Sequence, residues 1–161
     1  MNSISIIIPV LNEEDTICAL LDHLLEEIDG CDAEIIVVDG GSTDKTCDLV
    51  KPRNIKFLAS NFGSRAKQMN AGAKIASKDI LYFVHADTIP PKGFFKHILD
   101  VVNAGSHLGC YRFKFQSKHP LLVVNSYFTR FDVMWCRGGD QTLFVTKEIF
   151  EKLNGYDSYY S

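Results

Sequence analysis

The chain has 161 residues, of which 46% are hydrophobic and 23% are charged, and its net charge is −3. A chain of this length and composition builds one globular domain with an ordinary core and does not need disulfide bonds. The slight acidic excess argues against a nucleic-acid-binding protein, because such proteins usually carry a basic excess. We therefore expect a single domain over residues 1–161, without a nucleic-acid partner.

The five cysteines are widely spaced and form no Cys-x-x-Cys pair, which argues against a zinc site. Such cysteines are typical of a protein kept in a reducing compartment. The first apolar run, residues 4–11, is too short for a signal peptide and follows no basic residue, and no run is long enough to span a bilayer. These features predict a cytoplasmic location.

Strands and helices are predicted to alternate through the first two thirds of the chain. Continuous apolar runs indicate buried strands, and apolar residues at helical spacing indicate amphipathic helices. Asn12 is expected to cap the first helix, Gly30 to end it, and Ser42 or Thr43 to cap the second. The predicted strands are residues 5–10, 33–38, 55–59 and 79–84, and the predicted helices are residues 17–28, a short segment after residue 44, residues 64–76 and residues 94–102.

This order of elements implies an α/β fold with a mostly parallel central sheet and helices on both faces. In such sheets, ligands bind outside the carboxyl ends of the strands. Polar clusters follow three of the predicted strands: Asn12-Glu13, Asp39-Gly40 and His85-Ala86-Asp87. The sequence therefore predicts a ligand site at this edge of the sheet.

Beyond residue 105 the pattern is less regular. Residues 110–116 alternate aromatic and polar side chains, which indicates a half-exposed strand, and residues 140–146 and 147–153 indicate a short strand and a short helix. Residues 121–135 are strongly apolar and predict a helix that belongs to the core or to a homodimer face. The alternative is a surface for a lipid-linked acceptor, and thus a peripheral membrane contact.

Asp39 is the first candidate binding residue, since a carboxylate at the end of a buried strand can accept hydrogen bonds from a base or a ribose hydroxyl. The two common phosphate-binding motifs, G-x-G-x-x-G and G-x-x-x-x-G-K-[ST], are both missing from the sequence. The alternative interpretation of residues 39–42 is a tight turn, because Asp, Gly and Ser are ordinary turn residues.

Asp87 is the candidate metal ligand, because a carboxylate at a strand end can hold Mg²⁺ or Mn²⁺ between two phosphates. His85 is interpreted as a packed, hydrogen-bonded histidine, with metal ligation as the alternative. At the start of the third predicted helix, Arg65 and Gln68 are placed to reach phosphates with help from the helix dipole, whereas Lys67 is interpreted as solvent-facing. Asn70 and Gly72 disfavour a helix, so they indicate close packing or a ligand contact.

Five segments, in this order, resemble the family-two glycosyltransferases of the GT-A fold: residues 6–14, 37–44, 63–72, 83–88 and 139–141. The last two carry the sequences HADT and GDQ, which are similar to those of a small bacterial-type subgroup. The resemblance implies transfer of a sugar from a nucleoside diphosphate sugar to an acceptor hydroxyl, with inversion at the anomeric carbon. It also implies a divalent cation, Mg²⁺ or Mn²⁺, on the leaving diphosphate.

The resemblance further implies which residues form the site. By it, the nucleoside pocket is lined by Pro9, Asn12, Glu13 and Asp39, and the metal is held by Asp87. We also expect Gly40, Arg65, Asn70 and Ala86 in the nucleotide site. Two positions depart from the family pattern. Gly40 stands where a second acid usually follows the second strand, and His85 stands where the first acid of the D-x-D motif is usual.

The same resemblance divides the chain into a nucleotide-sugar-binding half, residues 1–105, and the start of an acceptor-side half, residues 106–161. The family's acceptor base follows the short helix, so we expect it beyond Ser161 and expect the domain to be incomplete at its C-terminus; Asp140 is the candidate within the chain. The acceptor itself is not indicated. The alternative function is a non-catalytic nucleotide-binding or interaction module that keeps the fold.

Overall fold

The computed structural model describes residues 3–60, 63–111 and 142–157. Within these ranges the strands are β1 (Ile4–Val10), β2 (Ala33–Asp39), β3 (Lys56–Ala59), β4 (Ile80–Phe83), β5 (Leu108–Cys110) and β6 (Leu143–Thr146). The helices are α1 (Ile17–Glu27), α2 (Thr46–Val50), α3 (Arg65–Ile75), α4 (Phe94–Asn103) and α5 (Lys147–Lys152). None of these helices combines the length and apolar character that a bilayer-spanning helix requires.

The six strands form one sheet in the order β3-β2-β1-β4-β6-β5. Strands β1 to β4 are parallel, and β6 runs antiparallel to both β4 and β5. The predicted mostly parallel α/β sheet is therefore confirmed. Strand β1 is central, and all seven of its residues are buried, as its continuous apolar run indicated.

The two faces of the sheet bury alternate side chains of the same strands, because successive strand residues point to opposite faces. Ile6 and Ile8 pack with apolar residues of α1 and α4, whereas Ile7 packs with Met69 and Ala73 of α3. Helices thus cover both faces. Each face of the sheet therefore has its own hydrophobic core.

Helix α3 lies unusually close to the sheet at Gly72. A Cβ atom on this residue would lie 2.5 Å from Cγ2 of Ile7 and 3.1 Å from Cγ2 of Val38. Only glycine fits there without a shift of the neighbours. Of the two interpretations that the sequence left open for Gly72, close packing is the one that the structure shows.

Several boundaries differ from the sequence predictions. Helix α1 begins at Ile17 with Thr16 as its N-cap, and α2 begins at Thr46, so Asn12, Ser42 and Thr43 do not cap these helices. Their side chains hydrogen-bond across the two loops instead, as described below. Strand β5 begins at residue 108 rather than 110, and β6 at residue 143 rather than 140. The predicted helix 121–135 and Asp140 lie outside the described residues.

A half-buried carboxylate joins three segments at the amino ends of the strands. Glu34 Oε1 accepts hydrogen bonds from Ser5 Oγ and Ser77 N, both at 2.6 Å, and Glu34 Oε2 lies 2.6 Å from Lys56 Nζ. Burial by itself favours the neutral carboxyl, but the surrounding hydrogen bonds, led by that from Lys56, lower the pKa of Glu34 to about 2. The charged form therefore stabilises the fold.

Glu34→Gln is expected to lower the free energy of unfolding near neutral pH by on the order of 2 kcal/mol. The pKa of Glu34 is lower in the folded protein than the ordinary value of 4.5. The contribution is therefore complete above that value and is lost as the pH falls toward 2. Urea titrations at several pH values should show the difference from wild type shrinking as the pH falls. Glu26→Gln, at an exposed position, is the control, and a Glu34→Gln effect that does not change with pH would contradict the account.

Candidate functional site

The sheet opens between β1 and β4 at its carboxyl edge. The ladder between these strands ends at Ile7 and Phe83, and one further bond joins Val84 N to Ile7 O. Pro9 has no backbone N–H to donate. Its backbone is directed toward β4, as that of Ile7 is, but the pairing with β4 has ended before Pro9. A proline is therefore tolerated in this central strand. The strand order also reverses at this point, because β2 and β3 lie on one side of β1 and β4 lies on the other. Such a topological switch point is where α/β sheets bind ligands.

Gln68 fixes the strand ends on the other side of β1. Its side chain is buried, and Nε2 donates to the carbonyl oxygens of Val10 at 2.8 Å and Val38 at 3.0 Å. These are carbonyls at the carboxyl ends of β1 and β2. The sequence placed Gln68 among residues that reach phosphates. In the structure its amide N–H groups bond the ends of β1 and β2, so Gln68 supports the strands that carry the site loops.

The loops after β1 and β2 are joined through Asn12. Its backbone N–H donates to Ser42 Oγ at 2.9 Å, and its side-chain Oδ1 accepts from Thr43 N at 2.8 Å. Asn12 has a φ of 56°, a left-handed conformation that asparagine tolerates better than most residues. The two loops thus hold each other in one arrangement.

Further hydrogen bonds join the same two loops next to Asn12. Glu13 N donates to Thr46 Oγ1 at 2.8 Å, and Lys45 N donates to Glu14 Oε2 at 3.0 Å. Asp44 accepts from both the backbone and the hydroxyl of Thr46, at 3.0 Å and 2.5 Å. Although desolvation acts in the opposite direction, these hydrogen bonds, led by that from the Thr46 hydroxyl, lower the pKa of Asp44. The loop backbone is well satisfied before any ligand binds.

Asp39 closes its own turn in the structure. It is 4% exposed, and its carboxylate accepts from Gly41 N at 3.0 Å and from Ser42 N at 3.1 Å. Gly40 N donates to Val10 O at 2.9 Å, which ties this turn to β1. The tight-turn interpretation of residues 39–42 is therefore what these contacts show. A carboxylate offers about four lone-pair sites, so acceptor capacity remains.

Asn12→Ala is expected to destabilise the fold by about 1–2 kcal/mol, because it loses the bond to Thr43 and places alanine at positive φ. Asn12→Gly removes the same side chain without the backbone strain, so it should cost less than the alanine variant. Thermal and urea unfolding of both variants provide the measurement. If glycine proves the more damaging of the two, the conformational argument is wrong.

A cavity of about 500 Å³ lies between the loop after β1 and the start of α3. Ser64 is the N-cap of α3, and its buried Oγ makes no hydrogen bond to the described residues. The backbone N–H groups of the first helical turn have no partners within the helix and give this end a positive potential. Arg65 is exposed at the rim. The lining residues are Pro9, Leu11, Glu13, Gly63, Ser64, Arg65, Ala66 and Gln68.

Asp87 lies at the neighbouring strand end, after β4. It is exposed, and its Oδ1 accepts a hydrogen bond from Thr88 Oγ1 at 3.2 Å, while His85 and Ala86 are buried. Among the described residues, no three His, Cys, Asp or Glu side chains are grouped closely enough to hold a metal ion by themselves. A single exposed carboxylate does fit a cation that shares its remaining ligands with phosphate oxygens and water, as Mg²⁺ usually does.

The sequence as a whole matches one family model. Residues 5–145 match the family described as glycosyl transferase family 2. The chain belongs to this family. Because the matched region covers most of the chain, it includes both the loops of the carboxyl edge and α3 with its N-terminal cavity.

Individual relatives agree with this assignment. A Methanococcus voltae protein named dolichyl N-acetyl-alpha-D-glucosaminyl phosphate 3-beta-D-2,3-diacetamido-2,3-dideoxy-beta-D-glucuronosyltransferase is 33% identical over 108 residues, which is 62% of this chain and 34% of the relative. The fold is similar to that of S. aureus TarS 1-349 in complex with UDP, with a TM-score of 0.73, 19% identity and coverage of 94% of this chain and 49% of that one.

A second solved structure, the mannosyltransferase PcManGT from Pyrobaculum calidifontis in complex with GDP-Man and Mn²⁺, has a TM-score of 0.71 and 20% identity over 96% of this chain and 47% of that one. These structural similarities show that the chain shares the fold of solved glycosyltransferases. The chain spans about a third of the length of the Methanococcus relative and about half of the two solved chains.

Most of the predicted site residues of this family-2 chain lie along one edge. Three of them line the cavity, three lie at the end of β2 or in the adjoining loops, and Ala86 and Asp87 follow β4. Asn70 is different, because both functional groups of its amide bond the backbone of Tyr156. Ser64 was not among the predicted site residues, although a serine directly before a helix is a recognisable N-cap and its hydroxyl has no hydrogen-bond partner in the described part of the chain. The cavity residues are Pro9, Glu13 and Arg65, the loop residues are Asn12 and Gly40, and Asp39 is the last residue of β2.

Proposed function

We propose that the chain binds a nucleoside diphosphate sugar at the carboxyl edge of the sheet and provides the donor-binding part of an inverting glycosyltransferase. The observation that carries this proposal is the cavity at the start of α3, where the buried Ser64 hydroxyl lacks a hydrogen-bond partner among the described residues. Family membership supports it, as do the UDP and GDP-Man in the two structures of similar fold.

The nucleoside is assigned to the joined loops after β1 and β2. Pro9, Asn12 and Glu13 provide one wall, and Asp39 with Gly40 provides the other. The hydrogen bonds between these loops hold them in place before binding, which reduces the entropy lost on association. Asp39 keeps lone pairs that can accept from a base N–H or a ribose hydroxyl.

The diphosphate is assigned to the start of α3. An anion there meets backbone N–H groups that have no partner within the helix, and it meets the positive end of the helix dipole. Ser64 Oγ can donate to a phosphate oxygen, and Arg65 can offer its forked guanidinium at the rim. Lys67 is exposed and is not part of the cavity lining.

Asp87 is assigned to the divalent cation, Mg²⁺ or Mn²⁺, with Ala86 beside the nucleotide. The cation, when bound, offsets the negative charge that develops on the leaving diphosphate. Asp87 would hold the cation, and its carboxylate accepts a hydrogen bond from Thr88. The residues of this chain thus bind and orient the donor.

We further propose that residues 1–105 serve donor binding and residues 106–161 begin the acceptor side, with Asp140 as the candidate base within this chain. Residues 121–135 remain our candidate for a homodimer face or for contact with a lipid-linked acceptor. These assignments concern the whole activity, and the Methanococcus relative that has such an activity is longer than this chain.

A thermal-shift series tests the donor site. UDP, GDP, CDP and ADP are compared with Mn²⁺, with Mg²⁺ and with a chelator. One nucleotide should raise the melting temperature strongly only with metal, since a ligand that binds the folded state alone stabilises it by about 2.7 kcal/mol at 100 times its Kd. No shift with any of them, or equal shifts with and without metal, would contradict the proposal. Release of the nucleoside diphosphate from the matching nucleotide sugar then separates an enzyme from a non-catalytic module.

A further inference from the structure

The backbone after α5 is held by one side chain of α3. Asn70 Nδ2 donates to Tyr156 O at 2.8 Å, and Asn70 Oδ1 accepts from Tyr156 N at 2.9 Å. Both functional groups of the amide therefore bond to the same distant residue. A pair of opposed bonds of this kind fixes position and orientation together, because neither group can rotate without losing its partner.

The turn that delivers Tyr156 is shaped to meet Asn70. Asn154 and Gly155 both have positive φ, at 60° and 76°. A Cβ atom on Gly155 would lie 2.6 Å from Asn70 Oδ1 and 3.3 Å from Cζ of Phe150. The backbone thus packs against the amide at a distance that only glycine allows.

This segment runs along β4 from its amino end to its carboxyl end. Lys147 N donates to Asp79 O at 2.8 Å, just before β4 begins. At the other end, the ring of Phe83, the last residue of β4, lies 5.3 Å from the Phe150 ring and 5.1 Å from the Tyr156 ring. Tyr156 therefore lies at the carboxyl end of β4, the edge of the sheet on which Asp87 also lies.

Helix α3 connects this turn to the proposed donor site. It begins at Arg65 beside the cavity, and Asn70 follows five residues later in the same unbroken helix. Between them, Gln68 anchors the helix to β1 and β2. Anything that stabilises the first turns of α3 therefore also stabilises the residue that holds Tyr156.

We propose that Asn70 is a positioning residue, which couples donor binding at the start of α3 to the order of residues 154–157 on the acceptor side. The inference depends on the proposed function, because the donor phosphates are what stabilise the start of α3.

Amide hydrogen exchange at Tyr156, followed by NMR in the 161-residue chain, tests this coupling. The probes are UDP with Mn²⁺ and GDP with Mn²⁺, each at about 100 times its own Kd for the protein under study. If releasing Tyr156 requires α3 to open, its exchange should slow by tenfold or more, with a ceiling of about 100-fold at that saturation. Binding that leaves Tyr156 exchange unchanged would overturn the inference while leaving the donor site intact.

Two variants separate positioning from simple support of the fold. Asn70→Ala should bind the nucleotide but lose the slowing at residue 156. Ala71→Gly, a helix substitution of similar cost at the neighbouring position, should keep it. Slowing that persists in Asn70→Ala, or is lost equally in Ala71→Gly, would overturn the role given to Asn70. If neither nucleotide binds the wild-type chain, the proposed function fails and this inference fails with it.

Discussion

Replacing Asp87 with alanine is expected to weaken the binding of a nucleoside diphosphate in the presence of Mn²⁺ by on the order of 100-fold or more, because even residues behind the metal ligands contribute 10- to 100-fold. The nucleotide then retains only the contacts from the loops and from α3. The remaining affinity should be the same with Mn²⁺ and with a chelator. Isothermal titration in both conditions provides the measurement.

Asp100→Ala is the matched control for Asp87→Ala. Asp100 is also exposed, it lies on α4, and its loss changes the net charge by the same amount. Nucleotide affinity in this variant should stay near that of wild type, since Asp100 does not line the cavity and an exposed charge is screened by salt. An Asp87→Ala protein that keeps its metal dependence would remove Asp87 from the site and make His85 the next residue to test.

Gln68→Leu is expected to have the largest effect on stability, at about 2–4 kcal/mol. Its buried amide donates to the carbonyls of Val10 and Val38. Leucine has a similar volume but cannot donate, so Val10 O would keep only its bond from Gly40 N and Val38 O would lose its bond from Gln68 in a buried place. Urea unfolding near neutral pH measures the loss. Nucleotide affinity should fall as well, because the ends of β1 and β2 carry the loops of the proposed site.

Lys67→Ala is the control for this substitution. Lys67 is the preceding residue of α3 and is exposed, so its replacement should change the stability by no more than about 0.5 kcal/mol. A Gln68→Leu protein that unfolds at nearly the wild-type urea concentration would show that the two carbonyls find water or other donors.

The sequence predicted the layers of the fold because its signals were local. Residues 5–10 form a continuous apolar run, and a run of this kind is buried on both faces wherever the strand lies within the sheet. The alternation of strands and helices then implied parallel pairing. Pro9 was the one local signal against a central strand, and it is accommodated because the β1–β4 ladder ends before it.

The residues that were assigned differently all act over long distances in the sequence. Asn12 is of a residue type that commonly caps helices, but its partners are Ser42 and Thr43, in a loop some 30 residues away. Asn70 and Gln68 are polar residues in a helix, and only the folded arrangement shows that one bonds Tyr156 and the other bonds two strand ends. Local pattern cannot distinguish such roles from ligand binding.

The acid at the end of β2 has a role that the local sequence does not determine. A binding carboxylate and a turn-closing carboxylate have the same sequence signature, and Asp39 makes the turn-closing contacts with Gly41 and Ser42. The two roles are compatible, because those backbone N–H groups use only part of its acceptor capacity. We expect both roles together in a nucleotide complex.

The most direct test of the donor site is therefore a crystal structure of the chain with Mn²⁺ and the nucleoside diphosphate that stabilises it. The account predicts the base or ribose within about 2.7–3.2 Å of an Asp39 oxygen. It also predicts the phosphates at Ser64 and Arg65, and the cation on Asp87. A nucleotide bound elsewhere, or one bound while Asp39 contacts only Gly41 and Ser42, would contradict it.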